Sequence, residues 1–371
     1  GWQAKGSAPG LGEPSCEAGE LGCAKIAADE RAARTSCLMD TNEFRTLNEL
    51  FHKAVEKYRK PDAFLFKSGG KYTRLSAEEA LRQAAALAAA LDRLGVSRGD
   101  RVAILAENRV EWPLTDYAIL GLGAIDVPIF PTLLEPDIEY ILRDSGAKGV
   151  VVSTENQLRK IQNIRASLPE LNFILTMDHV ALPGVGAENW HRAVESELNR
   201  LPDPVEAFRR KAMEVGPQDT ASILYTSGTT GEPKGVILTH ANFVSNVQAC
   251  RHPFPLTPRD VGMSLLPLSH VFERLLDYFY FALGVSIAYP ESLEALPRNL
   301  LEVRPTIMAV VPRFLEKIRD RVMDSIRQTS AVKQKLFSWA LDVGRACIPY
   351  QLEGRRPPLA MRLQHALADR L

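Results

Sequence analysis

The chain has 371 residues, of which 46% are hydrophobic and 24% charged, as expected for a globular protein of two or three domains. Forty-five basic side chains balance 45 acidic ones, so the net charge gives no reason to expect nucleic acid as a partner. Five cysteines without a Cys-x-x-Cys pair argue against a zinc site and favour a reducing, cytoplasmic compartment. The longest apolar stretch, Tyr278 to Tyr289, is too short to cross a bilayer.

Residues 1–38 are predicted to be disordered or a non-native leader. They are rich in Gly, Ala and Glu, and Trp2 is their one aromatic residue, whereas globular patterning starts at Met39. Because so few apolar groups cannot offset the entropy lost on ordering, we expect limited proteolysis to remove this segment.

Residues 39–177 alternate between strand and helix patterns, which predicts a first α/β subdomain with a largely parallel sheet. Ser76-Ala-Glu-Glu79 has the sequence of a capping box, and Gly95 is expected to end the helix that follows. The predicted strands are 101–105, 127–130, 149–153 and 173–176, and the predicted helices between them are 109–121, 136–145 and 155–167.

The next segments complete an α/β fold of two mixed or parallel sheets with flanking helices. Residues 178–217 carry four prolines and are predicted to connect the sheets. A second α/β subdomain is expected over 218–311, with strands 221–225, 235–239, 262–266, 285–289 and 306–311 and helices 240–250, 270–283 and 291–303. Residues 312–371 show helical patterning over 314–327, 332–346 and 359–371. Their basic face is expected to be solvated, with peripheral contact to anionic lipid as the alternative.

One short loop between strands concentrates phosphate-binding chemistry. Its polar members are Thr226, Ser227, Thr229, Thr230 and Lys234, and its glycines are Gly228, Gly231 and Gly235. Glycines permit positive φ and bring backbone N–H groups close to an anion, hydroxyls add donors, and lysine adds a charge. This composition predicts a polyphosphate ligand.

Two other nucleotide motifs do not fit. A Walker A loop needs four residues between its glycines and a lysine directly after the second, but two residues separate Gly228 from Gly231, and Lys234 comes three later. Gly121-Leu-Gly123 ends a predicted helix and has Asp126 at the third glycine position, so it is not a dinucleotide fingerprint.

The run Tyr225-Thr-Ser-Gly-Thr-Thr-Gly-Glu-Pro-Lys-Gly-Val236 resembles the phosphate-binding signature of the AMP-forming adenylating enzymes. That superfamily includes acyl-CoA synthetases, luciferases and peptide-synthetase adenylation domains. Twelve residues in the family's order leave a plain solvated turn as a poor alternative.

A second run, Pro267-Leu-Ser-His-Val-Phe-Glu273, resembles the acyl-site motif of long-chain acyl-CoA synthetases. The resemblance implies that His270 is catalytic, where the acyl carboxylate meets the adenylate. Without this resemblance, the better explanation of the run would be structural: Ser269 as a helix cap, followed by a hydrogen-bonded histidine and a core helix. The aromatic run of Phe272, Tyr278, Phe279, Tyr280 and Phe281 is expected to be core rather than substrate wall. Residues 306–317 and 313–371 resemble the next long-chain block and the long-chain insertion.

The resemblance implies ATP, Mg²⁺ and coenzyme A as cofactors and a long-chain fatty acid as substrate. The fatty carboxylate would attack the α-phosphate of ATP, and the thiol of coenzyme A would then displace AMP. The residues implied to bind phosphate are Thr226, Ser227, Gly228, Thr229, Thr230, Gly231 and Lys234. Asn242 is explained by a helix N-cap, and neither a protein metal site nor a nucleic-acid partner is predicted.

The family's later motifs are not found in the sequence: the adenine-binding Gly-Gly-Ala block, the Tyr-Gly-x-Thr-Glu segment, the ribose-binding Asp, the hinge and the domain with a catalytic lysine. The resemblance therefore covers the N-terminal half of a synthetase, and we expect these residues alone not to make acyl-CoA. Two alternatives stay open. One is a short protein that binds nucleotide or acyl groups without catalysis, and the other is a fatty acyl-AMP ligase.

Overall fold

A computed structural model describes residues 43–180, 186–227, 233–251 and 253–369. The predictions for residues 1–38 lie outside these ranges. The chain divides into two compact units, one up to Ile307 and the other from Met308 onward.

The described strands and helices follow the predicted alternation along most of the chain. The strands are β1 (Phe64–Ser68), β2 (Lys71–Leu75), β3 (Arg101–Leu105), β4 (Ile125–Ile129), β5 (Gly149–Val152), β6 (Phe173–Thr176), β7 (Ala187–Asn189), β8 (Thr220–Ser227), β9 (Pro233–Thr239), β10 (Val261–Met263), β11 (Ser286–Ala288) and β12 (Ile307–Met308). The helices are α1 (Leu47–Tyr58), α2 (Ala77–Arg93), α3 (Glu111–Gly121), α4 (Glu135–Ser145), α5 (Glu155–Ile164), α6 (Trp190–Arg200), α7 (Pro204–Met213), α8 (His240–Cys250), α9 (Val271–Ala282), α10 (Leu296–Val303), α11 (Pro312–Arg327), α12 (Ala331–Leu352) and α13 (Leu359–Ala368).

A seven-stranded sheet runs in the order β7-β6-β5-β3-β4-β8-β9 and is parallel except for the antiparallel pair β8–β9. Its central strands are short apolar runs because both faces are covered, and Val150, Val151 and Val152 are fully buried. Ile138 and Ile141 of α4 pack with Leu158 of α5 into the core on this sheet. Because β4 and β8 are parallel neighbours, their carboxyl ends lie side by side at the same edge of the sheet.

A five-stranded sheet has the order β12-β10-β11-β1-β2. Strands β8 and β9, which the sequence groups with the strands predicted at 262–266, 285–289 and 306–311, lie in the seven-stranded sheet instead, because β8 pairs with β4 through Asp126 and Ser222. The hairpin β1–β2, which the sequence analysis did not predict, joins the five-stranded sheet through the parallel pair β1–β11. The order of strands along the chain does not predict their sheet, because strands pair with their neighbours in space. After residues 178–217 the chain returns to the seven-stranded sheet with β8. The α/β fold with two mixed sheets is confirmed.

Helix ends agree with part of the predicted capping. Glu79 N–H donates to Ser76 Oγ at 3.1 Å, so Ser76 is the N-cap of α2. The Glu79 carboxylate accepts from Arg82 and Gln83 instead of closing the capping box. Gly95 follows α2 at φ +88°, as expected for the residue that ends a helix.

The second compact unit is helical, as the sequence predicts. Its helices α11, α12 and α13 carry mainly exposed side chains, and Val343 and Cys347 are buried. Among the residues that the structure describes, no helix is both long and apolar enough to cross a bilayer.

Candidate active site

The phosphate-loop residues begin at the tip of the β8–β9 hairpin. In its antiparallel register Thr226 lies opposite Lys234 and Ser227 opposite Pro233. The side chains of Thr226 and Lys234 are exposed, so both are accessible to a ligand. The predicted residues Gly228, Thr229, Thr230 and Gly231 lie outside the described ranges. The hairpin thus places two predicted phosphate ligands, Thr226 and Lys234, opposite each other at its rim.

Gly235 has a different role from the predicted one. It is expected above to take positive φ, but it is an extended residue of β9 and is not among the positive-φ glycines of the described ranges. A Cβ atom there would lie 2.9 Å from Ile223 Cγ2 and 3.3 Å from Tyr225 Cζ. Glycine is required because the Tyr225 ring lies over the backbone. The Tyr225 hydroxyl donates to Asp144 Oδ2 at 2.6 Å, and burial together with this carboxylate raises the tyrosine pKa.

Substituting Gly235 with alanine should lower the free energy of unfolding by about 1–3 kcal/mol, because the new methyl group must displace Ile223 or Tyr225. Urea unfolding measures the loss. Gly186→Ala is the matched control, since no atom lies within 4 Å of its Cβ and it should change stability by less than about 0.5 kcal/mol. Equal effects of the two substitutions would contradict the packing role of Gly235.

His270 stands at the start of α9, where it is exposed. Its Nδ1 accepts from Phe272 N–H at 3.2 Å, so His270 itself is the N-cap of the helix. The alternative cap, Ser269, donates its hydroxyl to Ile129 O at 3.1 Å, which ties the helix start to the end of β4. Because Nδ1 is an acceptor, the neutral ring carries its proton on Nε2 and can donate from that atom.

Thr226 and His270 line one cleft of about 430 Å³, although 44 residues separate them in the sequence. Most of its wall is apolar, with contributions from Phe130, Leu224, Val236, Phe243, Phe272 and Leu275. The ring of Phe130 at the end of β4 meets the His270 ring edge-on at 6.4 Å. The cleft therefore brings a phosphate-loop residue and an imidazole together in one largely apolar groove.

The aromatic run of α9 divides between core and cleft. Tyr278, Phe279, Tyr280 and Phe281 are buried, which confirms the predicted core assignment. For Phe272 the core prediction is wrong: its side chain is 48% exposed and lines the cleft, because it lies in the first turn of α9 next to His270.

The start of α8 corrects one prediction and explains a histidine. Thr239, not Asn242, is the N-cap, and the two side chains form a reciprocal capping box in which Asn242 occupies the third helical position. His240 is fully buried, and its Nδ1 accepts from Leu47 N–H at 3.3 Å. Burial lowers its pKa to about 4, so this histidine is neutral and structural.

No protein metal site is found in the described part of the chain, where no group of three or more His, Cys, Asp and Glu side chains is arranged to hold an ion.

The sequence analysis missed the apolar wall of the cleft. This wall comes partly from β9 and α8, through Val236, Leu238 and Phe243. Strand β9 carries both the loop lysine and this wall. The sequence analysis also missed a buried ion network, in which Arg274 pairs with Asp116 and Asp126. The signal for the network was the charge of Glu273, Arg274 and Asp277 within an aromatic helix.

An AMP-binding enzyme family model matches residues 51–352, and the chain belongs to this family of adenylate-forming enzymes. The long-chain-fatty-acid–CoA ligase FadD15 of Mycobacterium bovis is 32% identical over 308 residues, 81% of this chain and 49% of that protein. Fatty acyl-CoA synthetase A of Dictyostelium discoideum is 31% identical over 278 residues, 74% of this chain and 41% of that protein. The chain spans about half the length of the curated relatives it matches.

Solved structures show the same fold. The inhibitor-bound N-terminal domain of FACL13 from Mycobacterium tuberculosis has a TM-score of 0.62 at 27% identity, and the match covers 74% of this chain and 65% of that one. A fatty acyl CoA synthetase of the same organism has a TM-score of 0.61 at 26% identity, with 75% and 51% covered.

Proposed function

We propose that the protein activates a long-chain fatty acid with ATP, forming an acyl-adenylate and pyrophosphate, and then transfers the acyl group to coenzyme A. The observation that carries this proposal is the shared cleft, in which Thr226 of the phosphate hairpin and His270 border an apolar groove. Membership of the AMP-binding family implies the use of ATP.

In this proposal the hairpin holds the β- and γ-phosphates of ATP. The ligands are the hydroxyl of Thr226, the ammonium of Lys234 and the loop residues Ser227, Gly228, Thr229, Thr230 and Gly231. Mg²⁺ would enter as the complex with ATP.

His270 would border the reacting carboxylate. A carboxylate is a poor acyl donor because its leaving group would be oxide, so its oxygen attacks the α-phosphorus and pyrophosphate leaves. The task of the protein is to align the two groups and to stabilise charge in a dry site. An Nε2–H donor that lines an apolar cleft suits that task.

The apolar lining supports a hydrocarbon substrate. Each methylene of an alkyl chain that is buried against Phe130, Phe243 and Leu275 would stabilise the complex by about 0.8 kcal/mol, whereas acetate has no methylene to bury.

Two free thiols, Cys250 and Cys347, support a cytoplasmic location.

Pyrophosphate exchange tests the proposal. Protein purified from its complete reading frame should exchange labelled pyrophosphate into ATP when palmitate is added. With acetate, the specificity constant should be at least about 100-fold lower. Added coenzyme A should yield palmitoyl-CoA. Acyl-AMP without a thioester would indicate a fatty acyl-AMP ligase, and binding without exchange would indicate a non-catalytic protein. A higher specificity constant for acetate would contradict the long-chain substrate.

A further inference from the structure

Below the cleft, one guanidinium joins the elements whose ends form it. We infer that Arg274 is a positioning residue for adenylation: it fixes the helix that begins at His270 against the strand that ends near Thr226. This inference rests on the proposed function. Arg274 itself is buried and does not line the cleft.

The guanidinium has partners on every side. Its Nη2 donates to Asp116 Oδ1 at 2.6 Å, and its Nη1 donates to Asp126 Oδ1 at 2.8 Å. Nη1 also donates to Ser222 Oγ at 2.9 Å, and Nε donates to Tyr278 OH at 2.8 Å. All of these side chains are buried, so water does not compete for the donors.

Two of the partners, Asp126 and Ser222, belong to strands that lead to the cleft. Asp126 lies on β4, which leads to Phe130 in the cleft wall. Ser222 lies on β8, four residues before Thr226, and its hydroxyl donates to Asp126 O at 3.3 Å. Arg274 lies one helical turn after His270, and its N–H donates to His270 O at 3.2 Å. The guanidinium therefore links the acyl-side helix to both strands.

Geometry makes arginine suited to this link. Its planar fork holds several acceptors in fixed directions, whereas a lysine ammonium is a single point on a flexible stem. Displacement of reacting groups by about 1 Å can lower a rate about 100-fold. A residue that serves stability alone would instead reduce the amount of folded enzyme and leave the turnover of folded molecules unchanged.

Three substitutions at two positions separate these roles. Ser222→Ala removes one hydroxyl from the network, Ser222→Thr keeps it, and Arg274→Lys keeps the charge without the fork. Asn48→Ala is the matched control, because Asn48 is buried, donates to Leu120 O and Ala212 O at 3.0 and 3.1 Å, and does not line the cleft. All are made in protein from the complete reading frame and compared at a temperature where each is folded.

Palmitate-dependent pyrophosphate exchange gives kcat and KM. Arg274→Lys should lower kcat at least about 10-fold and Ser222→Ala about 3- to 10-fold, with KM for ATP and palmitate changed less than about 3-fold. Ser222→Thr should restore kcat, and Asn48→Ala should leave it within about 2-fold. Losses of kcat no larger than that of Asn48→Ala would overturn the inference.

Hydrogen exchange provides a readout that does not depend on activity. In the substrate-free protein, Arg274→Lys should increase amide exchange in peptides covering 220–227 and 265–276, and Asn48→Ala should not. If wild-type protein shows no acid-dependent pyrophosphate exchange, the proposed function fails, and with it the adenylation role of Arg274. The amide data still decide whether Arg274 couples β8 to α9, and unchanged exchange in both peptides would overturn that coupling.

Discussion

Replacing Arg274 with methionine is expected to lower the free energy of unfolding by about 3–5 kcal/mol at pH 8, because two buried carboxylates lose their cation. Burial raises the pKa of Asp116 to about 7 and also raises that of Asp126, and Arg274 opposes both shifts. Without the guanidinium both pKa values rise further.

The sign of the pH dependence follows from these directions. A carboxyl group whose folded pKa lies above its unfolded value of about 3.9 contributes stability that is fully present below the unfolded pKa. That stability is lost as the pH rises through the folded pKa. The difference between wild type and Arg274→Met should therefore be smaller at pH 5, where Asp116 and Asp126 are protonated in the variant, than at pH 8. Urea unfolding followed by tryptophan fluorescence measures it, since Trp112 is buried 5.6 Å from the guanidinium.

Arg93→Met is the matched control, because it also removes an arginine from two carboxylates, Glu188 and Glu197. Burial opposes ionisation of Glu197, but hydrogen bonds from Arg200 and Arg93 hold its pKa below the usual range. Stability from such a group is present above the unfolded pKa and is lost as the pH falls through the folded pKa. The Arg93→Met difference should be the same at pH 5 and pH 8. If the stability difference between wild type and Arg274→Met were also the same at pH 5 and pH 8, Asp116 and Asp126 would be shown to keep their charges in the variant.

The parts of the fold that could be predicted are those in which burial leaves a simple pattern. Strand β5 is buried on both faces and reads as a run of valines, and α2 carries a cap residue, a continuous apolar stripe and a terminal glycine. Strands β1 and β2 are half exposed and irregular in pattern. Their one clear signal was the Gly69-Gly70 pair between them, at φ +57° and +79°, which is typical of a tight hairpin turn. Sheet membership could not be read from the sequence because pairing is decided by contacts between distant segments.

The candidate site was predictable to the extent that its chemistry is local. Thr226, Lys234 and His270 stand in short motifs, and the structure places Thr226 and His270 on one cleft. The reason for Gly235 was not predictable, because it depends on a tyrosine ring across the hairpin. Arg274 was missed for a similar reason, since its partners Asp116, Asp126 and Ser222 come from separate parts of the chain. Local sequence indicates candidate ligands, whereas the groups that hold them in place are assembled by the fold.

Substituting Lys234 with alanine is expected to slow palmitate-dependent pyrophosphate exchange about 30- to 150-fold, which corresponds to about 2–3 kcal/mol for a charge-assisted contact to phosphate in a dry site. The fold should be unaffected, because the Lys234 side chain is exposed at the rim and the β8–β9 ladder depends on backbone bonds. Lys234→Arg should recover part of the rate, since it keeps the charge but changes the shape of the donor. Lys71→Ala is the control, because it removes an exposed strand lysine from the other sheet and should leave exchange unchanged. Exchange at the wild-type rate in Lys234→Ala would contradict the assignment of this hairpin to ATP phosphates, whereas a loss confined to the affinity for palmitate would place Lys234 on the acyl side of the cleft.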